Sequence, residues 1–332
     1  MRLFRTITIA LGATLLLGTV LAESAAAAPA QHRYRVVDLG TLGGAISDAW
    51  AVNVHGDVTG QAADATGAMH PFRWHNGTMT SLGALDPSAP FGYGADINDR
   101  GWIVGSIDAA GGTAMHGFLW RDGKMTDLGT PGGRFSGATA INDRGQIVGR
   151  SETASGEWHA FLWQNGHMTD LGLDMATGIN NRGQVVGATP QGTKYQAYRW
   201  RNGTLTDLGD LGSGFSQAQA VNARGHVVGM SGAAGPGAAH GFVYRGSMVD
   251  IGTLGGSFSD AAAINDHDQV VGMSDPAGDP GPHGFLWQSG RMVDLTTRGL
   301  PESAIVRDIN NRGQIAGTFY PVDGQPHAAL FA

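Results

Sequence analysis

Histidines and aspartates recur along this 332-residue chain in a way that invites a chemical reading. His70, His116, His159, His240, His283 and His327 share one register, and Asp38, Asp127, Asp170, Asp207, Asp250 and Asp294 share another. Imidazoles beside carboxylates can ligate a metal or move protons near neutral pH. A reacting group is needed once, however, whereas a packing or capping group is needed in every copy of a repeat. Equivalent positions on successive repeats lie around a ring and do not converge on one ion or one bond. The histidines are therefore read as hydrogen-bonding partners within their own repeat, and the aspartates as acceptors for nearby backbone N–H groups. Arg100, Arg144, Arg182, Arg224 and Arg312 fall in tight turns and are read as solvated. The segment from Asp275 to His283 holds two carboxylates but lacks the ligand spacing of a calcium loop. The chain has no cysteine, so thiol chemistry and thiolate metal sites are excluded. It also has no nucleophile elbow, phosphate-binding loop or His-Glu-x-x-His motif. No catalytic, cofactor-binding or metal-ligating residue is assigned on these grounds.

More informative are residues that occur once. Trp50, Glu152, Trp158, Lys194, Tyr195, Phe319 and Tyr320 break the repeat near its longer, variable connections, where recognition usually sits on a rigid scaffold. Aromatics there can stack on sugars or grip a protein partner, or they cap the apolar ends of their own sheets. Glu152, Asp108 and Asp64 are carboxylates in the same region, but hydrolytic chemistry needs a converging pair and none is singled out. Asn76-Gly77-Thr78 and Asn202-Gly203-Thr204 match the glycosylation sequon, although a hairpin turn already accounts for their glycines.

These positions are held by a ten-residue pattern that occurs seven times, for example AINDRGQIVG ending at Gly149. Its asparagines, Asn53, Asn98, Asn142, Asn180, Asn222, Asn265 and Asn310, are spaced by 45, 44, 38, 42, 43 and 45 residues. That is the period of a four-stranded propeller blade. In the third copy a small-residue strand ends at Asn142, a turn at Asp143-Arg144-Gly145 leads into Gln146–Gly149, and His159–Trp163 and His167–Leu171 follow. Asn-Gly or Asp-Gly stands between the last two strands at Asn76-Gly77, Asp122-Gly123, Asn165-Gly166 and Asn202-Gly203, the residues a two-residue hairpin turn demands. The first strand carries Ala, Gly and Ser, suited to a crowded inner position; the third carries Phe, Trp and Tyr, suited to the wider outer part. The 54 glycines thus mark register and not disorder.

The ends suggest how such an array closes. The last repeat stops at Ala332 with three strands, whereas Tyr34–Gly40 matches a fourth strand with no predecessor. Pairing them removes two exposed edges. The fold expected is therefore all-β, a seven-bladed β-propeller of four-stranded blades closed by the N-terminal strand completing the last blade, occupying residues 31–332. Residues 1–30 read as a secretory signal peptide, with Arg2 and Arg5, an apolar core over Ile7–Ala22 and an Ala-rich end. Beyond it no apolar run approaches the ~20 residues of a membrane span. Net charge is −7, or −8 without Arg2, Arg5 and Glu23, which argues against nucleic-acid binding.

The units His159-Ala160-Phe161-Leu162-Trp163 and Asp250-Ile251-Gly252-Thr253-Leu254-Gly255-Gly256 resemble the HAF repeats of predicted extracellular bacterial proteins. The first recurs as His116–Trp120 and His283–Trp287, departing at Gln196, where the histidine is lost, and at Ser81, where the aspartate is lost. The resemblance implies extracellular placement and a repeat domain, and brings no functional residue with it. The function expected is a secreted or periplasmic monomeric module, without cofactor, that binds a glycan or protein through its long-loop face. The alternative is a propeller hydrolase or lyase acting on extracellular glycans. Removing residues 31–40 should abolish cooperative thermal unfolding or cause aggregation; a stable, monomeric truncation contradicts the closure.

Overall fold

The third repeat shows why these residues form these strands. Gly132–Ile141, Ile147–Thr153, Trp158–Gln164 and His167–Asp170 pair antiparallel in chain order. Asn165 and Gly166 have φ of 52° and 85°, the left-handed pair whose twist matches that of the flanking strands. A computed structural model describes residues 33–332 apart from positions 110, 236, 279, 280 and 323. Residues 1–30, read above as a signal peptide, and the middle of the Asp275–His283 segment lie outside the described residues.

The same order recurs over residues 43–81, 92–127 and 175–207 as separate four-stranded sheets. Residues 216–250 and 255–294 make two further sets of four, joined by a single parallel pairing of Ala239 with Phe258. In the last sheet the spatial order is Val36–Asp38, His327–Phe331, Ile315–Phe319, Ile305–Ile309. Val36 lies opposite Phe331 and Asp38 opposite Ala329, so the first described strand completes the sheet begun by the last repeat. One 3₁₀ turn, Leu295–Arg298, is the helical exception among the described residues, and none of their helices is long and apolar enough to cross a membrane.

All the sheets share an irregularity at the same place in the first strand, and three carry a second one nearer its start. In the third, Ala138 faces Gly149 and Ala140 faces Val148, which leaves Thr139 as an extra, bulged residue. The bulge drives the Gly137 carbonyl toward the neighbouring strand, where a Cβ on Gly149 would lie 2.0 Å from that oxygen. Gly60, Gly105, Gly187, Gly229, Gly272 and Gly317 meet the same contact at 1.9–2.1 Å. The repeated glycine is thus a consequence of the bulge.

The repeated asparagine ties the sheets together. Asn142 Oδ1 accepts the Arg144 and Gln146 N–H groups, each at 3.0 Å, closing its own turn. Its Nδ2 donates to the Asn180 carbonyl of the following sheet at 3.0 Å. Asn53, Asn98, Asn180, Asn222 and Asn265 repeat the bond to the next asparagine at 2.8–3.1 Å. Asn310 donates to the Asn53 carbonyl at 2.8 Å, across 257 residues. A second tie uses the serine of each Gly-Gly-x-Phe-Ser connection. Ser136 donates to the Gly129 carbonyl and accepts from Gly117 N–H of the preceding sheet.

Between sheets the core is apolar. Phe72, Phe118, Phe161, Tyr198, Phe242, Phe285 and Phe331 are each at most 1% exposed, and each such side chain contributes about 2–3 kcal/mol by burial. One cluster joins Val104, Leu119 and Leu128 of one sheet to Ala138, Ile141 and Phe161 of the next. The expected third-strand aromatics thus fill the gaps between twisted sheets. Replacing Asn142 by Ala strands the Arg144 and Gln146 N–H groups and removes the tie to Asn180, and should cost about 2–3 kcal/mol. A thermal or urea midpoint within error of the unaltered protein would show the ties to be dispensable.

Candidate functional site

The bulges create the site. The extra residues are Trp50, Ala95, Thr139, Thr177, Gln219, Ala262 and Arg307. All of them line one cavity of about 860 Å³. Its wall is continued by Tyr93, Met115, Phe135, Arg150, Trp158, Asp260, Met273, Ile305 and Val306. A smaller polar recess of about 230 Å³ lies at the asparagine turns, at the other end of the first strands.

Two tryptophans on this wall are engaged by the same device. The Trp50 ring lies 4.5 Å from that of Tyr93, with the Arg307 guanidinium 5.7 Å from its centroid. Asp48 holds the pair, accepting from Trp50 Nε1 at 2.9 Å and from Arg307 Nη2 at 3.0 Å. The Trp158 ring stacks on Phe135 at 6.4 Å and carries Arg150 at 5.0 Å, itself held by Asp174 at 2.5 Å. Trp158 remains 39% exposed.

The candidates read from the sequence divide on this frame. Trp50 and Trp158 line the cavity. Glu152 is paired across the ladder from Trp158, and its Oε2 accepts the Arg134 N–H at 2.7 Å. Tyr195 joins through Asp174, whose carboxylate raises the Tyr195 phenol above its usual value. Lys194 donates to the Ser213 carbonyl instead. Phe319 packs edge-on against His327, and Tyr320 lines a separate small recess. Six of the seven lie in strands and only Tyr320 in a connection. The expectation of a loop site is corrected: the second strands run past the repeated glycine to Asp64, Asp108 and Thr153, carrying these residues onto sheet ends. Arg150, Arg307, Asp48, Asp174, Tyr93, Phe135 and Asp260 went unread in the sequence; Phe135 recurs as Phe215 and Phe258, and Asp48, Tyr93, Asp260 and Arg307 stand in columns whose residue type changes from sheet to sheet, which was the signal available.

The repeated pairs behave as architecture. Nδ1 of His116, His159, His240, His283 and His327 contacts Asp127, Asp170, Asp250, Asp294 and Asp38 respectively, at 2.7–3.0 Å. Each of those aspartates, apart from Asp294, also accepts the N–H of a glycine two residues on; Asp294 takes Thr296 N–H. Where Ser81 replaces the aspartate, His70 turns to Asp64 at 2.9 Å. Where Gln196 replaces the histidine, it bonds Ser216 and the Gly214 carbonyl. Arg224 is not simply solvated: Asp268 pairs with it at 3.0 Å.

Three carboxylates near the cavity are perturbed. Asp260 Oδ1 is buried with no hydrogen-bond partner in the protein, and burial raises its carboxyl above the usual range. Asp96 and Asp308 bridge adjacent sheets from below the bulge. Asp96 accepts from Ile97 and Ile141 N–H, and Asp308 from Ile309 and Val52 N–H, all at 2.8 Å. Burial, aided by repulsion from Asp308, pushes Asp96 up to about 7. Burial raises Asp308 as well. Among the described residues no group of three His, Asp or Glu side chains is arranged to hold a metal.

Among solved structures, the chain is similar to the β-propeller domain of the Trilobed protease from Pyrococcus furiosus. The identity is 10% and the TM-score 0.55, over 86% of this chain and 93% of that one. The fold is a β-propeller. A puromycin-hydrolyzing peptidase of Mycobacterium tuberculosis shares the fold at 14% identity and TM-score 0.50, over 90% of this chain and 50% of that one. TolB from Acinetobacter baumannii is similar at 13% identity and TM-score 0.46, over 83% and 76%. No protein-family model matches the sequence, and no curated protein matches it. The sheets are the propeller's blades, and the cavity lies where their inner strands face one another.

The inner carboxylates make the propeller's stability depend on pH. Asp96 rises from 3.8 to about 7 on folding, so between those values the folded chain binds the proton more tightly. The stabilisation Asp96 contributes is full below about pH 4 and is lost as pH rises through about 7, up to ~4 kcal/mol. Asp96→Asn should flatten that slope in a series of urea midpoints from pH 4 to 8, whatever it does to the absolute value. An unchanged slope would assign the titration elsewhere.

Proposed function

We propose that residues 33–332 form a closed seven-bladed propeller that acts outside the cytoplasm as a binding module of the HAF-repeat type, taking its ligand through the bulge-lined cavity. Closure is supported by the pairing of Val36–Asp38 with the C-terminal strand and by the bond from Asn310 back to Asn53. The Pyrococcus domain, by contrast, is described as having an open velcro topology. Export is supported by the leader read in the sequence.

One observation carries the binding reading. The seven bulged positions are equivalent by repeat, yet they hold Trp, Ala, Thr, Thr, Gln, Ala and Arg, and these varied side chains wall a single cavity of about 860 Å³. Architecture would be served by one residue type at all seven; recognition needs them different. The size suits a ligand pocket, typically ~300–1,000 Å³. The partner is a glycan or a protein that inserts a group from the cavity's face. Glycan hydrolysis or elimination is the weaker reading, because the cavity lining contributes one carboxylate, Asp260, and acid/base chemistry there calls for a pair.

Thermal-shift screening of glycans and envelope proteins tests this. A ligand at 100 times its Kd should add about 2.7 kcal/mol of stability. Trp50→Ala and Trp158→Ala should each weaken that ligand at least tenfold. Turnover of any glycan, abolished by changing a single carboxylate, would overturn binding in favour of catalysis.

A further inference from the structure

We infer that the cavity takes a small organic cation, an ammonium group carried on an apolar body, with Asp260 as its anionic anchor. This rests on the reading of the cavity as a ligand site. Arg150 is neutralised by Asp174 at 2.5 Å, and Arg307 by Asp48 at 3.0 Å. Asp260 has no such partner, and its Oδ1 is buried and unbonded. Asp96 and Asp308, next to the bulged Ala95 and Arg307, spend their oxygens on backbone N–H groups. Ionised, Asp260 gives the cavity a negative charge that no lining cation offsets, and a concave apolar wall focuses that field.

A carboxylate left without a partner inside a wall is costly. A cation that reaches Asp260 recovers that cost, whereas an anion adds to it. The rest of the ligand is constrained by what surrounds the anchor. Ala95, Ala262, Met115, Met273, Ile305 and Val306 offer apolar surface. The Trp50 and Trp158 rings already carry the Arg307 and Arg150 guanidinium groups and an aromatic neighbour each. They are therefore poor platforms for stacking a sugar face, so of the two partners proposed above the anchor favours a protein that inserts a cationic side chain over a glycan. Charge at one point and apolar contact around it describe an alkyl- or arylammonium better than a neutral polyol.

Three probes share one indole body and differ in charge: tryptamine, tryptophol and indole-3-acetate. Calorimetric or ligand-observed NMR titration of the protein should give tryptamine at least tenfold tighter than tryptophol, with indole-3-acetate weakest. Asp260→Asn should bring tryptamine to the level of tryptophol and leave tryptophol unchanged. Equal affinity for all three, or tryptamine binding unmoved by Asp260→Asn, would overturn the anchor while leaving the cavity as a ligand site. Binding of none would overturn the cation inference, and the cavity reading falls with it only if the glycan and envelope-protein screen also finds no ligand. If Asp260→Asn does not fold, the charge series on the unaltered protein decides between these outcomes.

Discussion

The structure depends on one backbone irregularity repeated in every sheet. A bulge in each inner strand pushes a carbonyl across the ladder to where any Cβ would collide with it, and glycine answers at 1.9–2.1 Å. The same bulge turns one side chain per sheet toward the cavity. Inner strands could not otherwise both pair fully with their neighbours and present a side chain inward at that point. A local hydrogen-bonding defect is thus what joins scaffold to site.

Around that defect, repetition is spent on holding sheets to one another. Asparagine closes a turn with its oxygen and reaches the next sheet with its nitrogen. Serine spans the gap at the opposite end of the inner strand. Histidine and aspartate lock third strand to fourth. Where one of these is lost, either its partner or its replacement finds new bonds: His70 turns to Asp64, Gln196 bonds Ser216, and Asp268, at φ 60° where glycine is usual, gathers Asn222, Arg224 and His226. These substitutions mark structural repair, and none lies on the cavity wall.

Much of the fold was legible because its signals are local. Asn165-Gly166 names its own turn, and the Phe161 column announces the face that packs between sheets. The strand left over at Val36–Asp38 and the one missing after Phe331 are complementary on inspection. The site was only half legible. Trp50 and Trp158 stood out as departures from the repeat, whereas Arg150, Arg307 and Asp260 looked like ordinary polar residues on strands, because nothing in a linear chain says that position 50 is bulged or that positions 150, 260 and 307 share a wall.

By itself, then, the sequence determined the period, the strand order within a sheet and the hydrogen-bonding role of the repeated histidines and aspartates, since each is set within one repeat, whereas the ties that asparagine and serine make between sheets were not legible in it. Only the tertiary structure decided which exceptional residues meet. Arg307 and Trp50 are separated by 257 positions, yet one carboxylate, Asp48, holds both. Asp260 gained its meaning from the partners its surroundings withhold. Pairing is written along the chain, but convergence arises from how sheets face one another in space, and that is where chemistry on this fold must be sought.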